Sequence, residues 1–470
     1  MKYIPVIGLE IHAELLTKTK LFCGCKNEFG GVSNTRVCQY CMAIPGSLPV
    51  LNKNAVVLSA KAGIVLGCDI NNRFSFDRKN YFYPDLPKGY QITQLENPIC
   101  TNGFVEINNK KYRINNIHLE EDAGKLIHDN EKSKIDYNRA GVPLIEIVTE
   151  PDFNSACEVK AFVEEVIKRL KYGGVCDAKM EQGSLRVDVN ISVMPENAEE
   201  LGTRAEIKNL NSIRSIVSTI EYEIKRQTEI LESGGRVCPE TRRFDEKTAS
   251  TVLMRVKEAS DDYRYFPEPD IPYIYISDDE IEKIRNEIPK MPGERYLDYT
   301  NNLGLSEDDA ELILSSVEFS DFFEEALMNY KSAKTISALM LGEISRCINE
   351  SGISVEKSKI TPKELSSVAK MSDEEKISKN AAKSLVAVLF EDGGEAEKTA
   401  MEKGFIMSND TGVIEKLIAE IISENESLVC EYKNGNEKLF GFFMGQLIRK
   451  AGKSANPKLA KDLLIRKLNK

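Results

Sequence analysis

Tryptophan is absent from these 470 residues, and histidine occurs only three times, as His12, His118 and His128. Because all three lie in the first third of the chain, any imidazole chemistry belongs to the N-terminal part. No run of 18 apolar residues occurs, and the first residues lack a charged leader, an apolar block and a small-residue cleavage site. The expectation is therefore no membrane span, no secretion signal and a cytoplasmic location. Internal repeats and low-complexity tracts are also lacking. A P-loop is excluded: Ala451-Gly452-Lys453-Ser454 has the end of that motif, but Leu447 stands where its first glycine is needed and no strand precedes it. Any use of ATP is then of another type.

The eleven cysteines are an odd number, partly clustered as C-x-C and C-x-x-C, which suits metal thiolates and buried thiols better than a disulfide framework. At 41% hydrophobic and 29% charged residues, the chain can bury a large core, and its length predicts two to four domains. The net charge of −11 is unevenly spread. From Arg449 to Lys470, eight basic residues oppose the single acid Asp462, a local +7 that leaves −18 for the rest. A basic tail on an acidic body points to a local phosphate-backbone contact or to a solvated helix face.

The most informative stretch is Val6 to Glu14. Ile7, Leu9, Ile11 and Ala13 fall on one side of an extended strand, and Gly8, Glu10, His12 and Glu14 on the other. Two carboxylates flank an imidazole at spacings of about 7 Å along a rigid element, an arrangement suited to metal binding or acid/base work. Downstream, Cys23-Gly24-Cys25 and Cys38-Gln39-Tyr40-Cys41 provide two close thiol pairs. These form two knuckles of a four-thiolate zinc site, with a redox pair or free thiols as the competing readings. A rival set, His12-Ala13-Glu14 with Cys38-x-x-Cys41, echoes the zinc deaminase signature, but Val37 stands where that signature has proline.

Helical spacing predicts helices over Asn54–Leu66, over Asp152–Leu170 with Asp152 as cap, and over Ser212–Leu231. The segment Phe76–Tyr90 is dense in aromatic and cationic groups, and its Lys79 and Lys88 could hold phosphate. At Glu120-Glu121-Asp122 three adjacent carboxylates repel one another unless neutralised, most economically by a divalent cation. The strands Ser184–Val193 and Thr203–Asn211 alternate as the first one does, with Arg186, Asp188 and Asn190, then Arg204, Glu206 and Lys208, on their polar faces. Such strands describe a concave sheet with a polar floor. Pro289 to Gly293 reads as a linker, Leu303–Glu350 as largely helical, and Gly393-Gly394 as a further boundary.

Six segments together carry a resemblance: Gly8–His12, Arg78–Asp85, Leu119–Lys125, Pro143–Glu146, Gly183–Arg186 and Asp261–Asp270. In this order they resemble the B subunits of the tRNA-dependent amidotransferases. The resemblance implies an α/β (α+β) cradle-like domain with a mixed or antiparallel sheet over 1–290, a helical domain over 291–395 and a helical tRNA-binding tail over 396–470. It implies a heterotrimer completed by the amidase (glutaminase) component and a small bridging component, acting on mischarged Glu-tRNA(Gln) or Asp-tRNA(Asn). In that reaction ATP and Mg²⁺ serve phosphorylation of the side-chain carboxylate, which channelled ammonia then amidates. The ion site implied is Glu10, His12 and Glu121, with Glu150 and Asp188 as further ligands and Lys79 as a phosphate or channel residue. Zinc on Cys23, Cys25, Cys38 and Cys41 would be structural, and Lys450, Lys453, Lys458 and Arg466 of the tail would contact tRNA. A zinc-dependent nucleobase deaminase and an RNA-binding scaffold are the alternatives of other classes.

Overall fold

In the computed structural model the chain divides into two compact units, Met1–Pro292 and Gly293–Lys470. The structure describes residues 2–129, 132–256, 263–407, 411–433, 436, 439–451 and 457–468. In the first unit the chain runs through β1 (Tyr3–Glu14), α1 (Lys53–Val65), β2 (Asp69–Ile70), β3 (Arg73–Phe74), β4 (Asp77–Asn80), β5 (Tyr90–Thr93), β6 (Cys100–Ile107) and β7 (Lys110–Glu121). There follow β8 (Lys125–Asp129), β9 (Lys132–Asp136), β10 (Pro143–Thr149), α2 (Ala156–Tyr172), β11 (Leu185–Pro195), β12 (Ala205–Leu210) and α3 (Ile213–Glu232). The unit closes with β13 (Glu240–Asp245), β14 (Ser250–Val256), β15 (Phe266–Pro267), β16 (Ile274–Tyr275) and α4 (Asp278–Asn286).

Nine strands form one mixed sheet in the order β14-β13-β12-β11-β1-β10-β7-β6-β2. Among the described pairs only β12 and β13 run parallel. The alternation read from β1 decides its place. Ile7, Leu9, Ile11 and Ala13 are at most 1% exposed, and Val187, Val189 and Ile191 of β11 lie in the same core. α1, α2 and α3 contribute Leu58, Val163 and Ile216 to that core, so the helices cover one face of the sheet and the polar side chains are left to the other. Buried alternation of this kind also locks register, because a one-residue slip would turn the whole apolar set outward.

The helix expected from Asp152 begins later, at Ala156, with Ser155 as cap, its hydroxyl accepting from the Glu158 N–H. The reason is tertiary. Phe153 pairs with Ile7 through backbone hydrogen bonds of 3.0 and 3.3 Å, which keeps the chain extended beside β1, while Asp152 binds Arg113 at 2.6 Å. The helix expected over Ser212–Leu231 is α3, which starts at Ile213 with Ser212 as its cap.

The second unit is helical. The segment 303–350 is broken at serines: Ser306 and Ser316 cap the helices Glu307–Ile313 and Val317–Asn329. Freedom from proline does not keep a helix continuous where serine hydroxyls compete for the backbone N–H groups and start a new one. The last helices, Thr411–Glu424, Leu439–Ala451 and Pro457–Leu468, share a core of Ile414, Ile418, Ile421, Phe443, Leu447, Leu463, Leu464 and Leu468. Among the described residues no helix is long and apolar enough to cross a membrane.

Candidate active site

The strand order sets a row of titratable groups across the polar face. On β1, His12 lies opposite Glu146 of β10, and Glu146 lies opposite His118 of β7. On the other side of β1, His12 faces Arg186 and Glu10 faces Asp188. His12 Nε2 is 3.3 Å from Glu146 Oε2 and 3.8 Å from Glu120 Oε1, and His118 Nε2 is 3.1 Å from the same Glu146 oxygen. Burial pushes the His12 pKa down, but the Glu146 and Glu120 carboxylates outweigh it and raise it to about 9. Glu146 moves the other way. Burial would raise it, yet the two imidazoles hold it well below the usual range. Glu120 is raised, first by burial and then by Glu146.

A second group adjoins the first. Glu10, Asp188 and Glu206 bring carboxylate oxygens within 4.8 Å of one another, as do the ligand atoms of His12, Glu120 and Glu146. Lys208 lies 2.6 Å from Glu206 and 3.3 Å from Asp188, Asn190 donates to Glu10 at 2.9 Å, and the Asn209 N–H donates to Asp188 at 2.8 Å. Three acids against one ammonium leave a net negative pocket of hard oxygen donors, which fits Mg²⁺. The first group supplies one nitrogen and carboxylate oxygens once His12 gives up its proton. Next to it, Arg186 binds Asp122 at 2.7 Å, and the Glu14 carboxyl is pushed up to about 7 by burial and by Asp122.

The three adjacent acids on β7 part company. Glu120 faces the imidazoles, whereas Glu121 points to the opposite side, held by Lys88 Nζ at 2.6 and 2.7 Å and by the Ile92 N–H at 3.0 Å. Among the described residues Glu121 belongs to neither group of candidate ligands, whereas Glu120 stands in the first. Strand alternation counted from His118 reaches Glu120 and passes over Glu121. Glu150 also stands apart, bonded to Asn115 at 2.7 Å beyond the end of β10, where the register shifts between Val148 and Thr149. Sequence reasoning left Glu120, Glu146 and Glu206, members of the two groups, out of the expected ion site. Glu146 carried a signal, as an acid among apolar neighbours; what singles it out is its place between two imidazoles. Lys79 on β4 lies against aromatic faces, its Nζ 4.8 Å from the Tyr263 ring centre and 5.9 Å from that of Tyr81. Burial would lower its pKa, but Glu120 and other acids raise it.

The four cysteines converge. Cys23 and Cys41 Sγ are 3.5 Å apart, and Cys41 lies 3.8 Å from both Cys38 and Cys25. Tetrahedral zinc with bonds of about 2.3 Å needs sulfur separations of about 3.8 Å, so the donor set fits. A hydrogen bond from Cys23, together with the Lys20 ammonium, draws the Cys41 thiol down to about 4 against the effect of burial. His12 groups with carboxylates and not with these thiols, which removes the geometric basis of the deaminase reading.

In the tail, Lys450 binds Glu424 at 2.7 Å and Arg466 is exposed. Lys458 lies on the helix Pro457–Leu468, and Lys453 lies outside the described residues, as do Asp261 and Asp262.

Two family models match the chain: the GatB/GatE catalytic domain over residues 5–282 and the GatB domain over 321–468. The chain is 48% identical to the B subunit of the aspartyl/glutamyl-tRNA(Asn/Gln) amidotransferase of Ruminiclostridium cellulolyticum, across 100% of this chain and 98% of that protein. It is 48% identical to the protein of the same name from Caldicellulosiruptor saccharolyticus and 44% to that from Geobacter sp. (strain M21), in each case across 100% of both.

Proposed function

The chain belongs to the B-subunit family of the aspartyl/glutamyl-tRNA(Asn/Gln) amidotransferases, and on that premise we propose that its polar sheet floor activates the side-chain carboxylate of a mischarged tRNA. The substrate is Glu-tRNA(Gln), Asp-tRNA(Asn) or both. ATP phosphorylates the carboxylate, and ammonia channelled from the amidase (glutaminase) partner displaces the phosphate. The complex is a cytoplasmic heterotrimer, completed by the small bridging partner. The observation that carries this reading is the pair of adjacent acidic groups, His12 with Glu120 and Glu146, and Glu10 with Asp188 and Glu206. Held there, Mg²⁺ would neutralise charge on the transferring phosphoryl group.

The chain's own residues provide the rest of the site. Glu146 fixes both imidazoles, and Lys208 and Asn190 orient the carboxylates of the second group. Arg186, held by Asp122, and Lys79, beside Glu120, offer cations to an approaching carboxylate or phosphate. The four-thiolate site is structural zinc in this proposal, and the basic tail over 396–470, with Lys450, Lys453, Lys458 and Arg466, contacts the tRNA backbone.

The test follows Glu-tRNA(Gln) with glutamine, with and without ATP, in the complex with both partner proteins, for wild type and Glu120→Gln. ATP-dependent Gln-tRNA(Gln) that is lost in the variant while glutamine hydrolysis persists supports the assignment. Full activity in the variant refutes it. Inactivity of wild type on this substrate directs the same assay to Asp-tRNA(Asn).

A further inference from the structure

Lysine is almost never fully buried unless paired, yet Lys20 is 0% exposed. Its Nζ donates to Cys41 Sγ at 3.4 Å and to the Tyr137 carbonyl at 3.1 Å. Among the described residues no carboxylate lies within 4.0 Å of it, and Glu121, which lines the same small cavity, is engaged by the Lys88 ammonium. A buried Nζ must spend its donors on fixed partners, and here they are one sulfur of the four-cysteine cluster and one backbone carbonyl. Four thiolates around a divalent cation carry a net −2, and Lys20 sits against one of them.

The other partner of Lys20 opens a route to the catalytic floor. Tyr137 begins a segment in which Arg139 donates to the Ala123 and Gly124 carbonyls at 3.0 and 2.8 Å. Farther on, Gly141 N–H donates to the Asp122 carbonyl at 2.9 Å, and Asp122 N–H to the Val142 carbonyl at 2.9 Å. Leu21, the residue after Lys20, donates to the Gly141 carbonyl at 2.8 Å. Asp122 in turn holds Arg186 on the polar floor.

We propose that Lys20 is the positioning residue of the four-cysteine metal site, its Nζ holding Cys41 Sγ and tying that site to the Tyr137–Val142 segment that braces Asp122. This rests on the reading of the four thiols as a metal site. The metal then does more than staple two knuckles together: it fixes the sulfur to which the anchor of the Tyr137–Val142 segment is bonded. Partners in the outer shell of a metal site act by orienting ligands and setting their basicity, and losing one typically costs about 10–100-fold in metal affinity.

The experiment measures zinc transfer from the full chain to a chromophoric chelator for wild type, Lys20→Met and Lys20→Gln, and the thiolate-to-metal charge-transfer band of the Co²⁺-loaded forms. Lys20→Met, which removes charge and donor, is expected to lose about 10–100-fold in zinc affinity and to shift the band. Lys20→Gln, which can still donate, should fall between it and wild type. A purely space-filling lysine would leave the band unmoved. Amide exchange on wild type provides an arm independent of any variant: extraction of zinc should speed exchange across residues 137–142. Wild type that binds zinc, with variants within about twofold of its affinity and an unshifted band, overturns the Lys20 proposal alone. Unchanged exchange on zinc extraction overturns the link to the segment. Wild type that binds no zinc overturns the metal reading and the proposal with it.

Discussion

His12 and His118, more than a hundred residues apart in the chain, share one oxygen of Glu146, at 3.3 and 3.1 Å. Each histidine faces Glu146 directly across a strand pair, so the carboxylate is the joint of a three-strand row. Substituting Glu146 by Ala leaves two half-buried imidazoles without their main counter-charge and opens the first group of candidate ligands. The expected outcome is a loss of roughly 100-fold or more in ATP-dependent transamidation, comparable to removing a preorganised charge from a catalytic site. Glutamine hydrolysis by the partner is retained. Activity within a few-fold of wild type would remove Glu146 from the site.

Glu206 makes a separate test, since β12 places it beside Glu10 and Asp188. Glu206→Ala should weaken divalent-cation binding at least as much as loss of an outer-shell partner does, about 10-fold or more. Glu121→Ala, on the far side of β7, should leave that binding constant unchanged. Mn²⁺ titration followed by electron paramagnetic resonance reads both, and equal losses would mean that the two faces of β7 are coupled in a way the geometry does not contain.

At the start of α2 the two candidate caps can be weighed against each other. Ser155→Ala removes the hydroxyl that accepts from the Glu158 N–H and should cost about 1 kcal/mol. Asp152→Ala, which breaks an ion pair to the mostly exposed Arg113, should cost less, up to about 1 kcal/mol and falling with added salt. Urea unfolding with and without 0.5 M salt, on the order of several times physiological ionic strength, separates them. A salt-sensitive Ser155→Ala would contradict the cap.

Acid stability depends on Glu223. Its side chain is fully buried, with Arg226 at 2.8 Å and Arg242 at 3.3 Å. Burial would raise its pKa, but hydrogen bonds from Arg226 and Thr251 and the guanidinium charge hold it below the usual carboxylate value. A carboxyl lowered on folding contributes stability that is present above its unfolded pKa and is lost as pH falls through the folded one. Glu223→Gln should cost about 2 kcal/mol near neutral pH, because it removes one of the two carboxylates, Glu223 and Glu240, that Arg226 and Arg242 share, and should flatten the fall in unfolding free energy below about pH 4.3. An unchanged acid limb would rule out this carboxyl as its source.

Much of this protein was determined locally. The alternation of Val6 to Glu14 was enough to separate a core face from a polar face, because side chains in a strand repeat every two residues whatever lies beside them. The two thiol pairs announced a four-sulfur cluster, and the spacing after Ser212 announced α3, since ligand spacing and helical period are short-range matters. Pairing and burial required the folded chain. Only the order β11-β1-β10-β7 sets Glu146 between His12 and His118 and leaves Glu150 outside. Only the approach of Phe153 to Ile7 postpones α2 to Ser155. Lys20 gave no sign in sequence of being an interior cation. Register, strand order and burial arise from contacts between residues far apart in the chain, whose joint free energy no local period encodes.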